Sequence, residues 1–193
     1  MVTVGFVVEG DSDKYLVESE LFRKWLREDC NLEVIGRAVN AAGNMRSHYI
    51  EDQVRLLRQE KNPDKVVVLA DLDPDRRAQC VQERKKIIGY RGIDLLVIVR
   101  KAIESWFLAD TEAMRRWLGD DTFCEVNPET LIGKPWDRLR ELGRKRGRGP
   151  GTKVRFSRKF IRDHRFDVRR AAQHASCPSA RYFVERLCAL GNS

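Results

Sequence analysis

Lys65-Val-Val-Val-Leu-Ala-Asp71-Leu-Asp73-Pro-Asp75 sets three carboxylates at alternate positions at the end of a short apolar run. The unbroken, β-branched run Val66–Ala70 predicts a strand buried on both faces of a parallel sheet. In an open α/β sheet ligands bind beyond the carboxyl ends of the strands, which puts these acids at the active edge. Asp71 and Asp73 can converge on one hard cation through oxygen ligands. Asp73 also suits the cap of a helix beginning at Pro74. That leaves Asp71 to be explained, because a carboxylate closing an apolar strand is costly unless it is paired or bound to metal. Thr3–Val8 is a second apolar run ending in acids, in Glu9-Gly-Asp-Ser-Asp13. Asp13 reads as a helix cap, and Glu9 as an acceptor for the following helix N-terminus. Glu104 lies in the first helical turn beyond a further strand, Ile93–Val99, where it complements the helix dipole. Asp75, beside Arg76 and Arg77, reads as a surface ion pair.

The elements that must hold these acids follow from periodicity. Tyr15, Leu16, Ser19, Phe22, Trp25 and Leu26 recur at helical spacing. Glu33–Val39 reads as a weaker strand, Ala41–Asn44 as a turn, and Met45–Glu60 as a helix. A helix from Pro74 to about Ile88 follows the central strand. This β-α-β-α-β-α-β alternation predicts a mostly parallel sheet of about four strands covered on both faces. After it come only helical or irregular signals: Lys101 through Leu118, with Asp110 ending or capping a segment, a short helix start at Asn127-Pro-Glu129, then Pro135–Arg146, Val154–Arg165 and Pro178–Leu190. Trp25, Trp106 and Trp117 read as core.

Composition bounds the function. The chain has 193 residues, 42% hydrophobic and 34% charged, with no apolar run approaching the roughly 20 residues of a membrane span. The N-terminus carries no basic leader, so the expectation is a cytoplasmic protein without a signal peptide. Five scattered cysteines without a Cys-x-x-Cys predict reduced structural thiols, with neither a zinc site nor a disulfide framework. His48, His164 and His174 have no ligand spacing, and there is neither Ser-His-Asp logic nor a P-loop. The net charge of +8 is unevenly placed: residues 134–170 hold fifteen Lys or Arg against four acids. Such crowding is relieved by a polyanion, and phosphate contact is expected through Arg144, Lys145, Arg146, Arg148, Lys153 and Arg155. Phe156, Phe160 and Phe166 interleave with these cations as core contacts, so sequence-specific readout is not expected.

An apolar strand into Glu9-Gly-x-x-Asp13, followed about sixty residues later by an apolar strand into Asp71-x-Asp73, resembles the TOPRIM fold of topoisomerases, bacterial primases and overcoming-lysogenization-defect nucleases. Gly43 matches the glycine near the end of that fold's second strand. Ile103-Glu104-Ser-Trp106-Phe-Leu-Ala-Asp110, Asn127-Pro-Glu129, Gly-Thr-Lys153 and Cys177-Pro-Ser-Ala-Arg-Tyr-Phe are similar to an uncharacterised family of small stand-alone TOPRIM-like bacterial proteins suspected of a role in phage defence. The resemblance implies Glu9 as metal ligand or general base, Asp71 and Asp73 as Mg²⁺ ligands with Mn²⁺ as substitute, and Asp13 and Glu104 as further catalytic acids.

The expectation is therefore an α/β TOPRIM-like domain over 1–118 and a basic, mainly helical extension over 119–193 packed on it, performing Mg²⁺-dependent cleavage of nucleic acid. Its rival is a non-catalytic metal- or nucleotide-binding sensor in a defence operon. A homodimer or an operon-encoded protein partner is compatible with both. An acidic edge facing a basic flank supports catalysis, and an edge sequestered by the C-terminal helices supports regulation.

Overall fold

The computed structural model describes residues 1–72 and 78–192. The readings placed on Asp73, Pro74, Asp75, Arg76 and Arg77 lie outside the described residues. In chain order the elements are β1 (Val2–Val8), α1 (Asp11–Val17), α2 (Glu20–Cys30), β2 (Leu32–Val34), β3 (Val39–Asn40), α3 (Ser47–Lys61), β4 (Lys65–Asp71), α4 (Val81–Ile88), β5 (Leu95–Val99), α5 (Glu104–Ala109), α6 (Thr111–Leu118), α7 (Pro135–Lys145), α8 (Lys153–Asp163), α9 (Val168–Gln173) and α10 (Pro178–Gly191).

The apolar run ending at Asp71 is β4, paired in parallel with β1 on one side and β5 on the other. β2 runs parallel to the start of β1, and β3 parallel to its end. The protein is thus α/β, with a parallel sheet of five strands flanked by helices. The fifth strand arises because the expected Glu33–Val39 strand is two short pieces, interrupted where Gly36 takes a φ of +65°.

Alternation along the strands divides the core. Val7, Val66, Val68, Ala70, Leu96 and Ile98 face Ile50, Val54, Leu57 and Ile88 of α3 and α4. Phe6, Val67, Leu69, Val97 and Val99 face the other way, into one cluster that includes Trp106, Phe156, Phe166, Phe183 and Leu187. The C-terminal helices therefore cover one face of the sheet together with α1 and α2, and a single apolar cluster crosses the 118/119 boundary.

Several helical readings break at polar residues. The segment from Tyr15 to Leu26 becomes α1 and α2, separated at Ser19, whose hydroxyl accepts Phe22 N and caps α2. The segment from Lys101 to Leu118 becomes α5 and α6, separated at Asp110, which caps α6 through Ala113 N (3.1 Å). Asn127-Pro-Glu129 forms turns, not a helix, and α9 carried too short a pattern to be read. The cysteine expectation is corrected too. α10 packs on α2 and β5, and Cys30 and Cys188, 158 residues apart, form a disulfide there. No local spacing announces such a pair. A side chain at Gly191 would run into the Cys30 carbonyl, so this close approach requires glycine. Among the described residues no helix is long and apolar enough to cross a membrane.

Asp110 is a hub of the C-terminal packing. Fully buried, it accepts Arg170 Nε and Nη2, both at 2.8 Å, and Asp167 N at 2.9 Å. Asp110→Ala leaves the half-buried Arg170 without its bidentate partner and is expected to lower unfolding free energy by about 2–3 kcal/mol in urea titrations. A loss below about 1 kcal/mol would show that the pair contributes little.

Candidate active site at the carboxyl edge of the sheet

Glu9 follows β1, and its backbone is held by Glu9 N to Leu69 O (3.1 Å) and by Gly43 N to Glu9 O (2.9 Å). Gly43 has a φ of +80°, so its glycine places an amide where it locks this strand end. The Glu9 carboxylate accepts Asp71 N at 2.8 Å and Arg84 Nη2 at 3.0 and 3.2 Å. Arg84 Nε donates to the Asp71 carbonyl at 3.0 Å, so one buried guanidinium joins the ends of β1 and β4. Glu9 and Asp71 therefore share one edge of the sheet, as their strand-end positions predict. Asp71 Oδ1 accepts Ile103 N at 3.1 Å, which draws the turn after β5, and with it Glu104, to the same edge.

Asp13 completes the group. Its Oδ2 accepts Gly10 N at 3.0 Å, the return half of a capping box, because Asp13 is the third residue of α1. Asp13 is thus a cap, as the first of its two readings has it, but only through one oxygen. Asp13 Oδ1 and Glu104 Oε1 are buried without a hydrogen-bond partner among the described residues. Asp13 is 3% exposed and Glu104 1%.

Burial pushes all four carboxyls toward the neutral form. Asp13 is raised to about 8 by burial, reinforced by the charges of Glu9 and Glu104. Asp71 is raised well above the carboxylate range by burial and by Asp13, Glu104 and Glu9. Burial raises Glu104 against the opposing pull of Lys153, and Glu9 against that of Arg84.

Lys153, expected to grip phosphate, turns the other way. It is the first residue of α8, and its Nζ lies 2.9 Å from Glu104 Oε2. Burial works to lower its pKa, and Glu104, Asp71 and Asp13 outweigh it, so the ammonium is held charged. One turn later the buried Ser157 hydroxyl meets that of Ser12 in α1 at 2.8 Å. α8 is thereby pinned over the acid edge.

The other expected phosphate contacts divide. Lys145 pairs with Glu141 at 2.6 Å, Arg146 pairs with Asp120, and Arg148 Nη1 donates to Trp117 O at 2.6 Å. Arg144 and Arg155 are exposed, with no ion-pair partner among the described residues. Asp73 lies outside the described residues, so its place at this edge is not described. Among the described residues no three His, Cys, Asp or Glu side chains stand as a ready metal-ligating group.

Two clusters escaped the sequence reading. Arg84 sits in the run Arg-Lys-Lys and looks like solvated surface. The second joins the quoted motif segments: Trp106 Nε1 donates to Ser179 Oγ (2.8 Å), which donates to Glu129 Oε1 (2.5 Å), with Cys177 Sγ 3.2 Å from the same oxygen. Burial, then the Glu129 charge, pushes the Cys177 thiol up, which makes it an inert structural group. Compared with protein-family models, with curated proteins and with solved structures, the chain matches none of them.

Proposed function

We propose that this chain is a TOPRIM-like, divalent-metal-dependent nuclease, with Glu9, Asp71 and Glu104 as ligands, Asp73 as a further ligand from the sequence motif, and Asp13 beside them. One observation carries the reading: three buried carboxylates, Asp13, Asp71 and Glu104, stand with the partly buried Glu9 at one edge, and two of their oxygens lack any partner among the described residues. Buried charges of one sign call for a counter-ion, and an all-oxygen donor set suits Mg²⁺ or Mn²⁺. Such an ion, when bound, would neutralise a phosphodiester and acidify a water. The chain's own part is to fix the donors: Gly10 N orients Asp13, Ile103 N orients Asp71, and Arg84 with Asp71 N orients Glu9. The exposed cations of residues 134–170 supply a phosphate-gripping flank.

Lys153 favours a second reading. An ammonium already seated against Glu104, under a helix pinned to α1, partly neutralises the edge from within. That is the sequestration expected of a non-catalytic regulatory module. Calorimetric titration with Mn²⁺ at pH 8 tests whether the edge is a metal site at all, and the cleavage assay then separates a nuclease from a metal-binding regulator. Wild type is expected to bind saturably, and Asp71→Asn, which keeps an acceptor for Ile103 N, at least tenfold more weakly. Absence of Mn²⁺ binding in wild type would leave the acids as a proton- and lysine-compensated structural group.

A further inference from the structure

α8 has a second working face. Arg155 and Lys159, one turn apart, project away from Lys153 and Ser157 and line a cavity of about 470 Å³ with Arg148, His164 and the loop Gly149-Pro150-Gly151. Its floor is apolar, made by the edges of Trp117, Phe156 and Phe160, whose rings pack together (Trp117–Phe156 centroids 4.8 Å, Phe156–Phe160 5.1 Å).

The charge here is uncompensated, unlike that of about half of the basic segment. Arg138, Arg140, Lys145, Arg146, Arg162, Arg169 and Arg170 all have carboxylate partners. No carboxylate lines the cavity, and Arg155 and Lys159 have no ion-pair partner among the described residues. Four groups face His164: burial lowers its pKa, Arg116, Arg148 and Lys159 add to the lowering, and Asp163, paired with Arg162, opposes them. Cations crowded into a concavity repel one another until an anion enters.

The walls are built in advance. Arg148 N donates to Gly143 O at 2.7 Å, and a Cβ at Gly143 would come within 2.6 Å of Arg148 O and 2.9 Å of Trp117. The loop therefore folds back on α7 at a point only glycine allows. Gly149 and Gly151 have open space where side chains would be, leaving their backbone accessible from the cavity. A lone phosphate would occupy a small part of this volume, which lies in the range of small-molecule sites, and the apolar floor suits a base or sugar.

We propose that this cavity binds a nucleoside monophosphate group, either a free mononucleotide or the phosphorylated end of a strand, with its phosphate among Arg148, Arg155 and Lys159. The site lies across α8 from the acids, about one helix diameter (~10 Å) away. It deepens the phosphate-gripping part of the function proposed above, and its test uses neither metal nor cleavage, so the two fail separately.

The test is calorimetry in EDTA with adenosine 5′-monophosphate, adenosine, inorganic phosphate, and an oligonucleotide with and without a 5′-phosphate, while the His164 ring is followed by NMR. Each phosphorylated probe is expected to bind at least tenfold more tightly than its unphosphorylated counterpart, and to move the His164 resonances and raise its titration midpoint. The Arg155→Ala/Lys159→Ala double variant, at exposed positions that leave the fold intact, is expected to lose at least tenfold, and Lys24→Ala, an exposed cation of α2 outside the basic segment, nothing. Tighter binding of the oligonucleotide than of the mononucleotide identifies a strand end, and equal binding a free nucleotide; both support the site. Equal affinity for adenosine and its monophosphate, an unaffected double variant, or inorganic phosphate binding as tightly as the nucleotide would overturn it.

Discussion

Glu104→Gln is expected to reduce Mg²⁺- or Mn²⁺-dependent cleavage of nucleic acid by about 10²–10⁴-fold while leaving binding in place. The substitution keeps the volume of a side chain that is 1% exposed and removes the charge of an oxygen without a partner. The cations of residues 134–170 outside the acid edge are untouched, so affinity should hold. Rates under Mn²⁺ on single- and double-stranded DNA and RNA, with binding measured in Ca²⁺, read the two quantities apart. A variant that cleaves as fast as wild type would return Glu104 to a purely structural pairing with Lys153. Absence of cleavage by wild type on all four substrates would favour the regulatory reading.

The metal-free protein is expected to lose several kcal/mol of stability between about pH 4 and pH 8, at about 1.4 kcal/mol per unit of pKa shift. In the folded protein the Asp13 carboxyl titrates at about 8 because of burial and its acidic neighbours. In the unfolded chain it titrates near ~3.9. The folded state binds this proton more tightly, so its contribution is full below about pH 4 and is lost as pH rises through 8. Asp71, Glu104 and Glu9 are raised by burial and act in the same direction. Asp120, Asp163, Asp167 and Glu141 are lowered by their partners and act only at the acid end. His164 is lowered and opposes the trend below its unfolded value, ~6.5. Asp13→Asn, whose side-chain oxygen can still accept Gly10 N, isolates the effect. Urea titrations in EDTA from pH 4.5 to 8.5 should show a flatter profile for the variant. Parallel profiles for the two proteins would refute the assignment.

The strands were legible because buried parallel strands need unbroken β-branched runs, and Val66–Ala70 and Leu95–Val99 supply them. Glu9 and Asp71 were legible because an acid closing such a run has few other uses. Orientation was not legible. Lys153 counted as one cation among fifteen, and only the packing of α8 on α1 decides that it faces Glu104 while Arg155 faces outward. Arg84 was hidden for the converse reason. Its neighbours Lys85 and Lys86 make the segment look solvated, yet its guanidinium is among the most buried cations and crosses 75 residues of chain to reach Glu9. The Glu129–Ser179 contact, fifty residues apart, carries no local pattern at all.

The unequal covering of the two sheet faces fixes an order of completion during synthesis. The face under α3 and α4 has all its side chains once residue 98 has been made. The opposite face, partly covered by α1 and α2, is not complete until α10 arrives, when Phe183 stacks between Phe22 and Trp106 at 5.9 and 5.2 Å. While the residues from 99 to 183 are being made, the nascent chain therefore leaves the cover of Phe6, Leu69 and Val97 incomplete on one side of a sheet that is already possible on the other. A polypeptide stopped at residue 118 would remain in that condition, a template for aggregation and not a free-standing domain. The acid edge shares the delay, because Lys153 leaves the ribosome well after Glu9, Asp71 and Glu104. Until then the carboxylates hold no ammonium, and their closure over the sheet comes after the α3–α4 face is complete.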